Sequence, residues 1–446
     1  MNVEHIKSGL LIVLIGLSII LTWQLYTYQP EIALLDDVTS RYVSSELIGE
    51  ERVISDVIQP DQMVVHYNDM KALIPKNDPK FAQLYEKLLT ASFEEIEVSD
   101  DIFPKVNERG GIELLFPTSI PSHLFLNMIS VETDYLYPGT VIDRIYLYVN
   151  DANGQVYMQF LSSEDRRVGS MKTNIAVNEF EEVFVQPISE YIPVKTLAGE
   201  RSTKALITED VYITTEPFKV DKLSYGATKL SVHLFRQSLF TDPNAVKYYQ
   251  QTDGEDSYTD GNRIINLRKD GLFMEYGNTI FLGSQELTKH IVQGGFEFIN
   301  GHGGWTDQYL LSNWVSTTNR DEVEFRLELN GFPVHSIDGQ DRMTLKAKRS
   351  GNQIISYSRP LLDLDSLAIN ASQKIEMPAG EDVISYLQND ELFDVQRISR
   401  VSVGYEMHMT NPTFFTVEPH WYVLYGSRWQ KVSLDQLKGA GDNGLE

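Results

Sequence analysis

No charged side chain interrupts the run from Ser8 to Pro30, and this run constrains the chain more than any other feature. Ten of the twelve residues Leu10–Leu21 are Leu, Ile or Val. At about 1.5 Å per residue, a helix over residues 8–28 is roughly 31 Å long, which matches a bilayer hydrocarbon core of about 30 Å. At about −0.5 kcal/mol per residue, the Leu, Ile and Val positions together contribute an insertion free energy of about −5 kcal/mol. A cleaved signal peptide would need small residues just after the apolar run, but that position reads Thr22-Trp23-Gln24-Leu25-Tyr26-Thr27-Tyr28. Trp23, Tyr26 and Tyr28 suit an interfacial aromatic belt, so the sequence predicts a retained anchor. Lys7 precedes the span while Glu31, Asp36 and Asp37 follow it, which keeps residues 1–7 in the cytoplasm and places the body from about Pro30 onward outside the membrane. The expectation is a single-pass membrane protein with an extracytoplasmic body.

That body carries the whole formal charge of −25, because Glu4 and Lys7 cancel and the span is uncharged. A polyanion binder needs clustered Lys and Arg, so nucleic acid is excluded as the expected partner. With no cysteine anywhere, the body must rely on ordinary hydrophobic cores. Its length predicts several domains.

The pattern predicts an α+β fold of antiparallel sheets with packed helices. In the expected N-terminal segment, residues 31–192, Val64–Tyr67 reads as a strand. Asp78-Pro79 then opens a helix, with Asp at the N-cap and Pro at the first helical position. Phe81, Leu84, Tyr85, Leu88 and Leu89 form its apolar stripe. Ile112–Phe116 reads as a strand, and Val141–Val149 with Val156–Leu161 reads as a hairpin across Asn150–Gly154. A short helix near Val177–Phe184 closes the segment.

A central segment, 193–318, is expected to contain a strand at Leu206–Ile213 and another at Leu230–Phe235. Asp242-Pro243 is read as starting a helix through Tyr249. A hairpin follows across Lys269-Asp270-Gly271, then a helix over Gln285–Phe298 and a strand over Tyr309–Ser316. The last segment, 319–446, is expected to repeat the plan, with strands at Val323–Leu329, Arg342–Arg349 and Gln353–Tyr357, a helix near Glu381–Leu387, strands at Val401–Met409 and Phe414–Leu424, and a polar tail from Gly439.

Catalytic signatures are missing from the sequence. It contains no G-x-S-x-G elbow, no cysteine nucleophile and no H-E-x-x-H. The histidines, among them His66, His123, His233, His290, His302, His335, His408 and His420, lie far apart with no i, i+4 pair, and they read as isolated strand or loop residues. Gly301-His302-Gly303-Gly304 superficially resembles an oxyanion-hole loop but reads better as a helix C-cap. Asp253–Gly261 resembles a calcium loop in charge only, because Tyr258 and Leu267 occupy ligand positions counted from Asp256. These readings predict a non-enzymatic protein with no catalytic residue, metal site or cofactor.

Glu4-His-Ile-Lys7, the apolar span, Leu21-Thr22-Trp23 and Tyr28-Gln29-Pro30 together resemble the start of the YycH (WalH) family, membrane-anchored regulators of the YycG/WalK sensor kinase in Gram-positive bacteria. The resemblance implies a regulator of a two-component system controlling cell-wall metabolism. It further implies that the span associates with the kinase's transmembrane helices and with a YycI-like partner. An anchored ligand- or wall-binding protein is the alternative. Within the span, association in lipid relies on close packing at small residues. Gly9 and Gly16 are seven apart, about 20° from alignment on a helix, and Val13, Ile20 and Trp23 share their stripe. Those five residues are the expected partner-binding face.

Overall fold

The structure, a computed structural model, describes residues 2–27, 48–94, 96–99, 102–129, 131, 140–197, 210–252, 254–269, 271–279, 288–318, 320–369, 373–389, 394–426 and 428–433. It forms two compact bodies, Met1–Ser44 and Ser45–Glu446. In the first, Asn2–Thr27 is one continuous α-helix, so the apolar residues Leu10–Leu21 are helical. Side chains on it are described at Lys7 and from Leu11 to Trp23 except Ile12. Among the described residues, no helix is both long and apolar enough to cross a membrane.

The second body is built on two sheets. From edge to edge the first runs Glu97–Ser99, Arg167–Lys172, Gln155–Ser162, Val141–Asn150, Gly111–Pro121, Gln62–Tyr67, Met70–Ile74, Ile192–Thr196 and Tyr212–Thr214. The main path of the second runs Lys247–Gln250, Asp256–Thr259, Arg263–Arg268, Phe273–Asn278, Gln353–Pro360, Thr344–Ser350, Arg320–Leu329, Phe332–Ile337, Ile398–Asn411, Phe414–Tyr425, Phe218–Lys229 and Leu362–Leu364. Strands Tyr309–Thr317, Gln373–Met377 and Arg428–Val432 branch from it. Among these pairings only Phe332–Ile337 against Ile398–Asn411 is parallel. With helices laid on mostly antiparallel sheets, the architecture is α+β, as the patterning predicts.

Local chemistry explains many elements. The Asp78 carboxylate accepts from the Lys80 amide at 2.9 Å and Pro79 stands at the first helical position. Phe81, Leu84, Tyr85 and Leu88 of the resulting helix Pro79–Thr90 are buried. Asn330 and Gly331, with φ of 49° and 82°, supply the two left-handed positions of a tight hairpin turn between Arg320–Leu329 and Phe332–Ile337. The hairpins at Asn150–Gly154, Lys269–Gly271 and Ser350-Gly351 also form. His302 ends helix Ile291–Gly301, and Gly304 N–H returns to the Ile299 carbonyl at 2.9 Å, so the glycine-rich stretch is a helix C-cap.

Three expectations need correction. Leu230–Phe235 is not a strand: Ser231 Oγ accepts from the His233 amide and opens helix Val232–Leu239, whose Phe235 and Leu239, four apart, are its buried residues. Asp242-Pro243 opens a turn instead of a helix, with Asp242 Oδ1 accepting from Asn244 N–H at 3.0 Å, and Lys247–Gln250 follows as an exposed edge strand. The Asp-Pro pair serves both uses, and no buried i, i+4 row follows to favour the helix. The helix expected from Gln285 begins at Ile291, where His290 caps it through Nδ1. Residues 206–209 of the expected strand, residues 285–287 of the expected helix and the tail from Gly439 lie outside the described residues.

Neither expected segment boundary coincides with a sheet boundary. Position 192/193 lies within strand Ile192–Thr196 of the first sheet. Position 318/319 lies in the connection between paired strands Tyr309–Thr317 and Arg320–Leu329. Strand Phe218–Lys229 pairs with Phe414–Tyr425, so the central and C-terminal segments share one sheet. Helix Ile291–Gly301 lies on strands from both segments, and a Cβ on Gly295 would come within 2.3 Å of Val323. A single contiguous core runs from Val57 to Val432 across both sheets.

Candidate functional site

Where the two sheets meet, a partly enclosed cleft of about 270 Å³ opens. The first sheet and the loop after Met70–Ile74 contribute Leu73, Pro75, Lys76, Val194 and Tyr212, and the second sheet contributes Phe218, Phe332, His335, Trp421 and Trp429. Its walls are clamped from both sides. Lys76 pairs with Glu328 where both are nearly buried. Arg400 pairs with Asp61 at 2.9 Å, and Trp314 Nε1 donates to the Ser119 carbonyl at 2.6 Å. The Asn330-Gly331 turn brings Gly331 against Lys76, where a Cβ would approach that side chain to 3.1 Å.

On the first-sheet side the cleft wall is backed by a buried polar network. Glu113, fully buried, accepts from Arg144 at 2.7 Å and from the Tyr212 hydroxyl at 2.5 Å. His66 Nε2 lies 3.3 Å from both the Glu113 carboxylate and the Tyr212 hydroxyl. Arg144 also donates to the Asp210 carbonyl at 2.9 Å. Burial alone would raise the Glu113 pKa. The hydrogen bond with His66, the positive charge of Arg144 and the Tyr212 hydroxyl outweigh it and hold the carboxyl down at about 2. Every polar group of Glu113 is therefore engaged, as a buried carboxylate requires.

The second-sheet side differs. His335 is buried and lies between Tyr422, with ring centroids 4.2 Å apart, and Trp429, at 4.8 Å. Gly404 makes room for the ring, because a Cβ there would fall 2.4 Å from His335 Cδ2. Neither ring nitrogen reaches a hydrogen-bond partner among the described residues. Burial, reinforced by the charge of Arg326, pushes the imidazole pKa well below its ordinary value, so the ring is neutral. Arg326 itself is committed elsewhere, to both oxygens of Asp341 at 2.7 and 3.1 Å and to Glu324 at 2.5 Å.

The histidines are less isolated than their spacing indicates. His408 and His420 both lie 3.7 Å from Glu406, which also pairs with Lys431, and His123 and His290 stand 6.0 Å apart by ring centroid. Strand pairing across Ile398–Asn411 and Phe414–Tyr425 brings the first pair together, and no local sequence spacing encodes it. Among the described residues, no group of three or more His, Asp or Glu is arranged to hold a metal ion.

The expected partner-binding residues Gly9, Val13, Gly16, Ile20 and Trp23 all lie on helix Asn2–Thr27, apart from this cleft in the chain. Val13, Ile20 and Trp23 are 67%, 61% and 69% exposed, and a Cβ on Gly16 would meet nothing within 4 Å.

Residues 4–186 match the description "YycH protein, N-terminal domain", and residues 208–439 match "YycH protein, C-terminal domain". The chain is similar to a Bacillus subtilis protein named "Two-component system WalR/WalK regulatory protein YycH", with 21% identity and 99% of each chain covered. It also resembles the crystal structure of YycH from Bacillus subtilis, with a TM-score of 0.70 and 15% identity over 87% of this chain and all of that one. Matched by both family domains along nearly its whole length, and sharing the two-sheet fold, this chain belongs to the YycH family.

Proposed function

We propose that the chain is a non-enzymatic, membrane-anchored regulator of a WalK/YycG-type sensor histidine kinase, acting through transmembrane contacts with the kinase and a YycI-like partner. The observation that carries this reading is kinship over 99% of the chain with a protein named for regulating WalR/WalK. The N-terminal helix supports the membrane part of the proposal. Leu11, Val13, Leu14, Ile15, Leu17, Ile19, Ile20, Leu21 and Trp23 are each more than half exposed, and so much apolar helix surface requires lipid or another helix to cover it. In this arrangement residues 1–7 are cytoplasmic, and the two-sheet body is extracytoplasmic. The stripe Gly9, Val13, Gly16, Ile20 and Trp23 faces the partner helix, where Gly16 permits close approach.

The test is crosslinking or a two-hybrid assay in membranes. Gly16→Leu should reduce kinase association, while Leu14→Ala, roughly on the opposite face, should leave it unchanged. Replacing the whole span with an unrelated one should abolish the effect on a kinase-dependent reporter. Equal association of both point variants would refute the stripe, and full regulation through a foreign span would refute the transmembrane route. The alternative, an anchored ligand- or wall-binding protein, is favoured by one feature, the cleft between the sheets.

A further inference from the structure

We infer that the cleft between the two sheets is a binding site for a small amphiphile, with an apolar body and a single hydrogen-bonding or anionic head. This inference stands whether or not the chain regulates a kinase. Three independent observations converge on it.

The first is shape and lining. A volume of about 270 Å³ is close to the lower end of small-molecule sites, which run from about 300 Å³. Phe218, Phe332, Trp421 and Trp429 supply rigid aromatic surface, with Phe218 and Trp421 already set edge to face at 5.9 Å.

The second observation is His335. A buried imidazole with both nitrogens unpartnered among the described residues is costly in a finished core, where buried polar groups are bonded. This one lines the cleft. In its neutral form it carries one donor and one acceptor; both nitrogens are covered by neighbouring groups here, so pairing with a hydroxyl, an amide or a carboxyl head requires a turn of the His335 or Trp429 side chain on binding. Gly404 keeps the ring in place by leaving it room.

The third is charge. Lys76, Lys219, Arg326 and Lys374 line the cleft against Asp61, Asp221 and Glu328, four cations to three anions in a chain whose net charge is −25. Lys76 and Arg326 are held in ion pairs, Lys374 lies 3.9 Å from Asp221, and Lys219 and Lys374 are both exposed. The cleft thus lacks the acidic field of the rest of the surface and tolerates a monoanion.

The experiment uses the full chain in phospholipid nanodiscs, with the signal of empty discs subtracted. The probes are 1-anilinonaphthalene-8-sulfonate and its sulfonate-free parent, 1-anilinonaphthalene. Saturable one-to-one binding of both is expected, the sulfonate form being the tighter by about fivefold. Trp429→Ala should weaken binding at least tenfold and His335→Leu about fivefold, while Tyr248→Ala on the remote edge strand should change nothing. Far-UV circular dichroism and the melting temperature establish that each variant is folded, and the bound probe should raise the melting temperature of the wild type more than that of either cleft variant. Competition separates the natural sources: displacement by dodecanoate indicates a lipid-like ligand, displacement by N-acetyl-phenylalaninamide a peptide-like one. Equal affinity in wild type and in folded His335→Leu and Trp429→Ala proteins would overturn the assignment, as would non-saturable binding. Loss of kinase regulation in these variants is not required, which keeps this test separate from that of the transmembrane contact.

Discussion

His66 and His335 are both buried imidazoles, 3% and 6% exposed, and each stands beside the same cleft in an opposite chemical situation. His66 belongs to the Glu113–Arg144–Tyr212 network, in which a buried charge is met from several sides. His335 is packed between aromatic rings and bonds to nothing among the described residues. The first arrangement is what a fold requires to keep a polar group out of water. The second holds a polar group ready for something else. The contrast teaches that burial alone does not separate structural from functional histidines. Between these two, the satisfaction of the ring nitrogens is the difference.

The sharpest way to break the comparison is to remove the centre of the satisfied network. Glu113→Ala leaves Arg144, Tyr212 and His66 around an empty site, and breaking a buried pair by deleting one partner costs about 3–5 kcal/mol. Urea unfolding of the variant should show that loss. A cost below about 1 kcal/mol would mean the network is not a structural element.

A somewhat smaller effect follows from pH. Glu113 has its folded pKa depressed to about 2, so its contribution to stability is complete above the unfolded carboxyl range and is lost as pH falls from about 4.5 to about 2. Asp307 in the second sheet's body is the reverse case. Burial raises its pKa to about 6, although Thr306 Oγ1 and the Leu364 amide donate to it, at 3.0 and 3.2 Å. The folded protein therefore holds that proton more tightly, and stability rises as pH falls from about 6 to about 4. Each limb corresponds to about 3 kcal/mol at about 1.4 kcal/mol per pKa unit. Read as the difference between wild-type and variant stability profiles, Asp307→Asn should flatten the change between about pH 4 and 6 and Glu113→Gln the change between about pH 2 and 4.5. A profile unchanged by both substitutions would count against the assignments.

How much of this was legible in the sequence depended on whether the signal was local. Asp78-Pro79, the Asn150–Gly154 turn and the apolar run before Trp23 carry their physics within a few residues, and each forms the predicted helix or turn. Leu230–Phe235 misled because Ser231 also caps a helix, and Asp242-Pro243 misled because the same pair starts a turn. The cleft was beyond reach, since it assembles residues from Asp61 to Trp429 through tertiary pairing. One hint existed. An isolated glycine inside a strand pattern marks close approach of another group, and Gly404 within Val401–Met409 is such a residue, with His335 as the group it admits.

The smallest expected effect is the most telling for the comparison itself. His335→Leu removes a polar ring that makes no hydrogen bond among the described residues and replaces it with an apolar side chain in an aromatic setting, so folding stability should change by less than about 1 kcal/mol and in the stabilising direction. His66→Leu, by contrast, takes away a partner of Glu113 and Tyr212 and should cost about 1–3 kcal/mol. Both substitutions replace an imidazole of similar burial by the same apolar group, which leaves the hydrogen bonding of the ring as the main difference. Denaturant unfolding of the two variants side by side decides the matter. If His335→Leu destabilises as much as His66→Leu, the ring nitrogens of His335 are engaged in the folded protein, and the distinction between a finished network and an open site collapses.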